Sequence, residues 1–280
     1  MGKGWFTETI DDEGVGFMLS VEDRIHEERS AYQHIEVYQT THWGRLLTLD
    51  GCVMLTQRDE FLYHEMMTHP ALFAHRDPAR VAIIGGGDCG ILQEVLRHPQ
   101  VRHATLVEID ERVTRVAEQF FPELCGANGD PRAELLFIDG LRWVKEMAPG
   151  TLDVLIIDST DPVGPAAGLF TAEFLTDARR ALGPGGVLVQ QSESPLLHRD
   201  SVIAPLHRAM AEAGFDGTAT LTFPVPSYPS GWWSATLAVN GGDPRNFREA
   251  DAAEKPFTTR YYNAEIHRAS MAVPECLRGV

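Results

Sequence analysis

Five short apolar runs between residues 81 and 189, each followed at once by a glycine or a polar side chain, constrain the fold most. The runs and the residues that follow them are 81–84 with Gly85, 104–107 with Glu108, 135–138 with Asp139, 155–157 with Asp158, and 187–189 with Gln190. Short continuous apolar runs that alternate with amphipathic segments indicate buried, mostly parallel strands connected by helices. The pattern predicts a doubly wound α/β domain.

The first 56 residues show a different pattern, that of a small antiparallel sheet. Asp50-Gly51 lies between two apolar runs. This dipeptide favours a hairpin because a type I′ turn requires positive φ at both central positions. A helical pattern with acidic residues in its first turn follows over residues 59–67. The polar segment after it divides the chain into an N-terminal β-strand domain with a linking helix, residues 1–75, and an α/β domain, residues 76–280.

Charge and composition exclude several classes of partner. The chain has 24 Lys and Arg against 40 Asp and Glu, a net charge of −16. Binding to nucleic acid or to an anionic membrane depends on Lys and Arg, so neither is expected. The N-terminus lacks the apolar segment of a secretory signal, and no apolar run approaches the roughly 18 residues of a membrane span. The four cysteines are widely spaced, which favours a reduced, cytoplasmic location.

A glycine loop and a set of acids are expected at one edge of the sheet, where ligands of open α/β sheets bind. Residues 85–90 have the spacing G-x-G-x-x-G, and Glu108 follows about 20 residues later, as a ribose-hydroxyl acceptor does. The spacing alone suggests a dinucleotide. Asp88, however, places a carboxylate where the pyrophosphate would lie, and residues 81–96 contain no Lys or Arg. The loop therefore favours a nucleoside that carries positive charge, such as a sulfonium.

The position of Asp88 also distinguishes between two sulfonium compounds. The carboxylate of S-adenosylmethionine would face Asp88, whereas the decarboxylated compound ends in an ammonium that Asp88 can pair with. Asp139 is suited to accept a hydrogen bond from the adenine amino group. Asp158 and Asp161 form a candidate receptor for an amine, with turn and helix-capping roles as the alternative.

The segment from His64 to His69 is similar to a zinc motif, but its spacing differs. In H-E-x-x-H the two histidines are four residues apart on one helix face, whereas here they are five apart and Pro70 follows. No metal is expected. Tyr63 and His64 either line the cleft at the domain junction or serve only in helix packing.

Seven segments carry a resemblance to a known enzyme family. They are 59–65 (DEFLYHE), 85–90 (GGGDCG), 107–110 (VEID), 139–140 (DG), 158–165 (DSTDPVGP), 191–193 (QSE) and 227–231 (SYPSG). The chain resembles the polyamine aminopropyltransferases, and among them the spermidine synthases, from about residue 15 to about residue 240. The resemblance implies a methyltransferase-like Rossmann domain preceded by the small antiparallel β domain, assembled as a homodimer or homotetramer, and no metal or bound cofactor.

The resemblance also implies roles for individual residues. The nucleoside of decarboxylated S-adenosylmethionine, a co-substrate, would be held by Gln33, Glu108, Asp139, Gly140 and Pro165. The amine groups would be surrounded by Tyr63, His64, Asp88, Asp161, Gln191 and Tyr228, with Asp88 on the aminopropyl ammonium. Asp158 would be the general base.

The expected reaction is transfer of the aminopropyl group from decarboxylated S-adenosylmethionine to putrescine, which gives spermidine and methylthioadenosine. Two alternatives stay open: an amine N-methyltransferase that uses ordinary S-adenosylmethionine, and a polyamine-binding protein without turnover. Two features depart from the family pattern. Cys89 occupies a loop position that is usually glycine, and Trp232-Trp233 adds bulk after Tyr228. Cadaverine, agmatine and spermidine therefore stay open as acceptors beside putrescine.

Overall fold

The computed structural model describes residues 4–10, 13–160 and 164–279, and within these ranges the chain forms a five-stranded and a seven-stranded sheet. The five-stranded sheet is antiparallel, with strands in chain order: β1 (Gly4–Ile10), β2 (Val15–Arg29), β3 (His34–Thr40), β4 (Arg45–Leu49) and β5 (Cys52–Thr56). The predicted Asp50-Gly51 hairpin is confirmed, because this turn joins β4 to β5 with positive φ values of 51° and 86°.

The second sheet is built from β6 (Arg80–Gly85), β7 (His103–Glu108), β8 (Ala133–Phe137), β9 (Val154–Asp158), β10 (Val187–Gln191), β11 (Gly217–Pro224) and β12 (Trp232–Val239). Its order is β11-β12-β10-β9-β6-β7-β8. Strands β6 to β10 are parallel and correspond to the five predicted strands. Strands β11 and β12 add an antiparallel edge that the sequence pattern did not predict. Strand order reverses between β6 and β9, and this reversal opens a crevice for a ligand.

Helices cover both faces of the second sheet, which confirms the predicted doubly wound α/β domain. They are α1 (Glu60–Ala74), α2 (Gly90–Leu96), α3 (Glu111–Phe120), α4 (Gly140–Glu146), α5 (Ala172–Leu182), α6 (Ala204–Glu212), α7 (Glu249–Ala253) and α8 (Ala264–Ser270). A separate apolar cluster, which includes Ile35, Leu47 and Val116, joins the first sheet to α3. Among the described residues, no helix has the length and apolar character needed to span a membrane.

Helix α1 connects the last strand of the first sheet to the first strand of the second along the chain. Every residue from Leu62 to Phe73 is buried, so the helix is enclosed on all sides. It packs against α2, β9 and β10. The helix thus lies with the second sheet, although it precedes the expected domain boundary at residues 75–76, and that boundary stays a prediction.

The C-terminal segment is fastened to α1 by a buried carboxylate. Glu65, with 1% of its surface exposed, accepts backbone N–H groups from Arg260 (2.7 Å), Tyr261 (2.9 Å) and Tyr262 (2.7 Å). The Tyr262 side chain is also buried, with its hydroxyl 2.8 Å from Nδ1 of His267. Part of the chain beyond the second sheet, including Ala252, Tyr262 and Met271, therefore belongs to the core.

Replacing Glu65 with glutamine should lower the free energy of unfolding by about 2–4 kcal/mol, because an amide has one acceptor oxygen and would turn its NH₂ group toward N–H donors. Urea unfolding measures the change. The control is Glu265→Gln, an exposed glutamate of α8, which should change stability by less than about 0.5 kcal/mol. Equal stability of the two variants would contradict the anchoring role of Glu65.

Candidate active site

A cavity of about 560 Å³ lies at the carboxyl ends of β6, β7 and β9, with the first sheet forming its other wall. The second sheet contributes the glycine loop after β6, Glu108 after β7 and Asp158 after β9. The first sheet contributes side chains that include Glu8 and Val53. The strand reversal between β6 and β9 therefore produces the ligand crevice that the topology predicts.

The glycine loop packs so closely on its neighbours that a side chain at Gly85 would meet backbone and one at Gly87 would meet the Glu108 side chain. Gly85 has φ of +81°, and a Cβ atom built on it would lie 2.0 Å from the backbone oxygen of Asp158. A Cβ atom on Gly87 would lie 2.9 Å from Oε2 of Glu108. The loop backbone is thus in direct contact with two acids of the cavity, and Gly85, with its positive φ and its backbone contact, is the position that requires glycine.

Cys89, the fifth residue of the glycine loop, turns its side chain away from the cavity. Its φ is +70°, and its buried sulfur lies 3.6 Å from the carbonyl oxygen of Gly87. A hydrogen bond with Cys125, together with burial, raises the pKa of the Cys89 thiol. The side chain is therefore an uncharged thiol, and it is absent from the cavity wall.

The end of the cavity where a nucleoside is predicted to bind contains a buried acid, Glu108, with an altered pKa. Burial raises the pKa of Glu108 to about 7, although its carboxylate accepts the N–H of Asp110 at 2.8 Å. The Asp110 carboxylate in turn accepts the side-chain amide of Gln33 at 2.9 Å, which orients Gln33 at the cavity. Both residues were predicted at this end.

Asp139 and Gly140 form the start of α4 at the cavity. Oδ1 of Asp139 accepts the N–H of Leu141 at 2.8 Å, so the residue caps the helix. A Cβ atom on Gly140 would lie 2.5 Å from Cγ2 of Ile84. The cap and the close packing fix both residues in the cavity wall.

Two aspartates and a tyrosine form the centre of the cavity. The Tyr63 hydroxyl donates to Oδ1 of Asp158 at 2.5 Å. Burial and the charge of Asp88 raise the pKa of Asp158 to about 7. Burial also opposes ionisation of Asp88, but His64 and the N–H of Gly90 outweigh it and lower the pKa of Asp88. One acid is thus firmly ionised and the other titrates near neutral pH.

Aromatic rings and an amide form the far end of the cavity. The Tyr228 hydroxyl donates to the carbonyl of Met54 at 2.6 Å, and its ring lies 5.7 Å from that of Tyr63 and 4.7 Å from that of Trp233. Gln191 donates from Nε2 to Oε1 of Glu193 at 3.0 Å. Of the two adjacent tryptophans, Trp233 is the one in the cavity wall.

Most of the predicted site residues line the cavity. They are Gln33, Tyr63, Asp88, Glu108, Asp139, Gly140, Asp158, Gln191 and Tyr228. His64 lies behind Asp88, which it contacts, and is not in the cavity wall. Asp161 lies outside the described residues, and the backbone of Pro165 belongs to a 3₁₀ turn at Gly164–Phe170.

The polar residues of the cavity wall that sequence reasoning missed include Glu8, Glu193 and His198. Glu193 had a usable signal, because it lies two residues after the end of β10 and so at the ligand edge of the sheet. Glu8 had none, since an acid in an N-terminal antiparallel strand is ordinarily solvated.

The two histidines of the zinc-like segment have separate partners. His69 contacts His98 (2.9 Å) and Glu94 (3.1 Å), away from the cavity, whereas His64 contacts Asp88. Their divergence supports the view that this segment is not a zinc motif.

Comparison with known proteins identifies the family. Residues 60–248 match the family described as the spermine/spermidine synthase domain, and residues 4–57 match the spermidine synthase tetramerisation domain. The polyamine aminopropyltransferase of Halorhodospira halophila is 77% identical over 278 residues, which cover 99% of this chain and 100% of the relative. That of Alkalilimnicola ehrlichii is 60% identical over 276 residues, which cover 99% and 96%.

Solved structures agree with these relatives. A spermidine synthase in complex with the transition-state analogue AdoDATO has a TM-score of 0.92 and 36% identity, and the match covers 96% of this chain and 92% of that chain. The spermidine synthase from Thermotoga maritima has a TM-score of 0.89 and 36% identity, with 96% and 91% covered. The chain therefore belongs to the spermine/spermidine synthase family and is a polyamine aminopropyltransferase.

Proposed function

We propose that this chain transfers the aminopropyl group of decarboxylated S-adenosylmethionine to putrescine and releases spermidine and methylthioadenosine. The observation that carries this proposal is the charge of the cavity. Asp88 and Asp158 lie at its centre, and no Lys or Arg lines it within the described ranges. Such a cavity is suited to two cationic reactants, because each ammonium finds a carboxylate and neither meets a fixed positive charge.

The nucleoside half of the site follows from the residues around the glycine loop. Glu108, once ionised, accepts hydrogen bonds from the ribose hydroxyls. The helix-capping bonds of Asp139 go to Oδ1, which leaves Oδ2 for the adenine amino group. Gln33, Gly140 and Pro165 complete this half of the proposed site.

Asp158 is the proposed general base for the attacking amine. An alkylammonium has a pKa of about 10.4, so putrescine must lose a proton before it can attack. Asp158 takes this proton, and Tyr63, bonded to the same carboxylate, restricts its orientation. The free amine then attacks the methylene carbon beside the sulfonium in line with the C–S bond, and neutral methylthioadenosine leaves.

The proposed amine site is completed by Tyr228 and Gln191 in the cavity wall and by Asp161, which lies outside the described residues. His64, predicted at this site, instead supports it from behind Asp88. Tyr228 and Trp233 supply apolar ring surface for the alkyl chain of the amine. Gln191 brings an amide oxygen to the same end of the cavity, and Asp88 holds the aminopropyl ammonium of the donor. Positioning two reactants in this way is a large part of catalysis when the leaving group is already activated.

A product assay tests the proposal. The purified chain is incubated with putrescine and, separately, with each of the two sulfonium compounds. Spermidine is expected with the decarboxylated donor, and no product is expected with S-adenosylmethionine, because its carboxylate would face Asp88. N-Methylputrescine from S-adenosylmethionine, without spermidine from the other donor, would establish the methyltransferase alternative. Binding without product in either reaction would indicate a polyamine-binding protein.

The same assay with cadaverine, agmatine and spermidine ranks the acceptors, of which putrescine is the proposed one.

We further propose that the chain is a homo-oligomer, dimer or tetramer, in the cytoplasm. The match of residues 4–57 to a tetramerisation domain supports the oligomer. Light scattering coupled to size exclusion would distinguish the two states.

A further inference from the structure

His64 lies between two carboxylates, one on its own helix and one in the glycine loop. Its Nδ1 is 3.0 Å from Oε2 of Glu60, and its Nε2 is 3.4 Å from Oδ2 of Asp88. An ionised carboxylate only accepts hydrogen bonds, and a neutral imidazole has a single N–H. A ring that makes both contacts therefore carries a proton on each nitrogen.

The charge state agrees with this geometry. Burial lowers the pKa of His64, but the two carboxylates outweigh it and raise the pKa well above 6.5. The ring is 2% exposed and packs against Gly90, where a Cβ atom would lie 2.3 Å from Cε1. The imidazolium is thus confined to one orientation, in which Nε2–H faces Asp88.

We propose that Glu60 is a positioning residue of the donor site, which acts through His64 to fix the Asp88 carboxylate for the aminopropyl ammonium. Oδ1 of Asp88 is already held by the N–H of Gly90 at 2.7 Å. The Nε2–H of His64 restrains Oδ2. With both oxygens held, the carboxylate keeps one orientation when the ammonium arrives. This inference rests on the proposed role of Asp88.

The same contacts connect the C-terminal segment to the donor site. Arg260, whose backbone is bound to Glu65, donates from Nη1 to Oε1 of Glu60 at 3.2 Å. Arg260 therefore contacts the oxygen of Glu60 that does not face His64. Residues beyond 248, which lie outside the matched synthase domain, thus contribute to the support of Asp88.

His64 also affects the pKa of Asp158, the proposed general base. The ionisable groups around Asp158 are Tyr63 and His64 of α1, Asp88, Glu108 and Tyr228. Among them, His64 lowers the pKa of Asp158 by its positive charge, and Asp88 raises it. Weakening the charge on His64 should therefore raise the pKa of Asp158 and shift the acid limb of kcat/KM to higher pH.

The test is Glu60→Gln, which keeps the size of the side chain and removes its charge. At pH 8.5, the KM for decarboxylated S-adenosylmethionine should rise about tenfold while kcat changes less than about threefold, as expected for one weakened charged hydrogen bond. Binding of methylthioadenosine, which lacks the ammonium, should be unchanged. The acid limb of kcat/KM should lie at higher pH than in the wild type.

The matched control is Glu94→Gln, which removes the charge from a second buried carboxylate–imidazole pair, with His69, away from the cavity. It should leave both KM values and the pH profile unchanged.

Asp88→Asn separates the two levels of the proposal. Suppose that Asp88→Asn raises the donor KM, whereas Glu60→Gln changes neither the donor KM nor the pH profile. The role of Glu60 is then refuted, and the proposed donor site stands. If Asp88→Asn also leaves the donor KM unaltered, the proposed donor site itself fails. If Glu60→Gln weakens methylthioadenosine binding by the same factor as it raises the donor KM, the role of Glu60 is merely structural.

Discussion

Replacing Asp158 with asparagine should lower kcat by about 10³-fold, within the roughly 10²–10⁴-fold contribution of a positioned general base. Asparagine has nearly the same shape and still accepts the Tyr63 hydroxyl, so the cavity is expected to keep its geometry. Only the capacity to take a proton is lost. Steady-state kinetics with putrescine measure the loss, and calorimetry should give nearly the same affinity for methylthioadenosine. Turnover within about tenfold of the wild type would refute the role of Asp158 as base.

The pH profile provides an independent check on the same residue. Because the pKa of Asp158 is raised to about 7, the free protein holds the base protonated at lower pH, and kcat/KM should rise with pH through this region. Bound ammonium groups favour the carboxylate form, so the limb of kcat should lie at lower pH than that of kcat/KM. Glu108 titrates in the same range, and its ionisation adds to the steepness of the rise. A flat profile between pH 6 and pH 8 would contradict the assignment.

Gly85→Ala should have the largest structural effect, with a loss of stability above about 4 kcal/mol or failure to fold. The new Cβ would lie 2.0 Å from the backbone oxygen of Asp158. Gly85 and Asp158 are register partners in the adjacent strands β6 and β9, so neither backbone is free to move aside. Any folded variant must displace Asp158, and its kcat/KM should fall at least about 10²-fold.

Two glycine variants serve as controls for Gly85→Ala, both measured by thermal and urea unfolding. Gly150 has φ of +68° with open space around it, so Gly150→Ala isolates the backbone strain and should cost about 1–2 kcal/mol. Gly129 has neither a positive φ nor a close neighbour, so Gly129→Ala should be nearly neutral. If Gly85→Ala costs no more than Gly150→Ala, the contact with Asp158 is not a constraint on the fold.

The sequence pattern predicted the parallel part of the second sheet because buried strands favour continuous apolar runs, and such runs occur in β6 to β10, although the outermost strand β8 is only half-buried. The antiparallel edge was not predictable in the same way. Strand β11 alternates apolar and polar residues, and β12 begins just after a Pro-rich segment that looks like a loop. Their pairing depends on contacts with β10 that local pattern does not contain.

The acids at the strand ends were predictable for a similar reason, since parallel strands bring their carboxyl ends to one edge. The position of His64 was not, because helical spacing does not reveal whether a ring reaches a cavity or an acid behind its wall. Glu8 was missed because it comes to the site through the packing of the first sheet on α3, a contact between distant parts of the chain.

The burial of Asp158 has a consequence for the resting protein. A carboxyl group whose pKa is higher in the folded chain than in the unfolded one favours folding in its protonated form, and this contribution diminishes as the pH rises from about 4 toward 7. At neutral pH the unliganded fold therefore carries an electrostatic cost created by the buried Asp158 carboxylate. Bound cations relieve that cost. Substrate supply and protein lifetime are thus linked, since the form of the protein that lacks polyamine substrates is also the form that unfolds most readily.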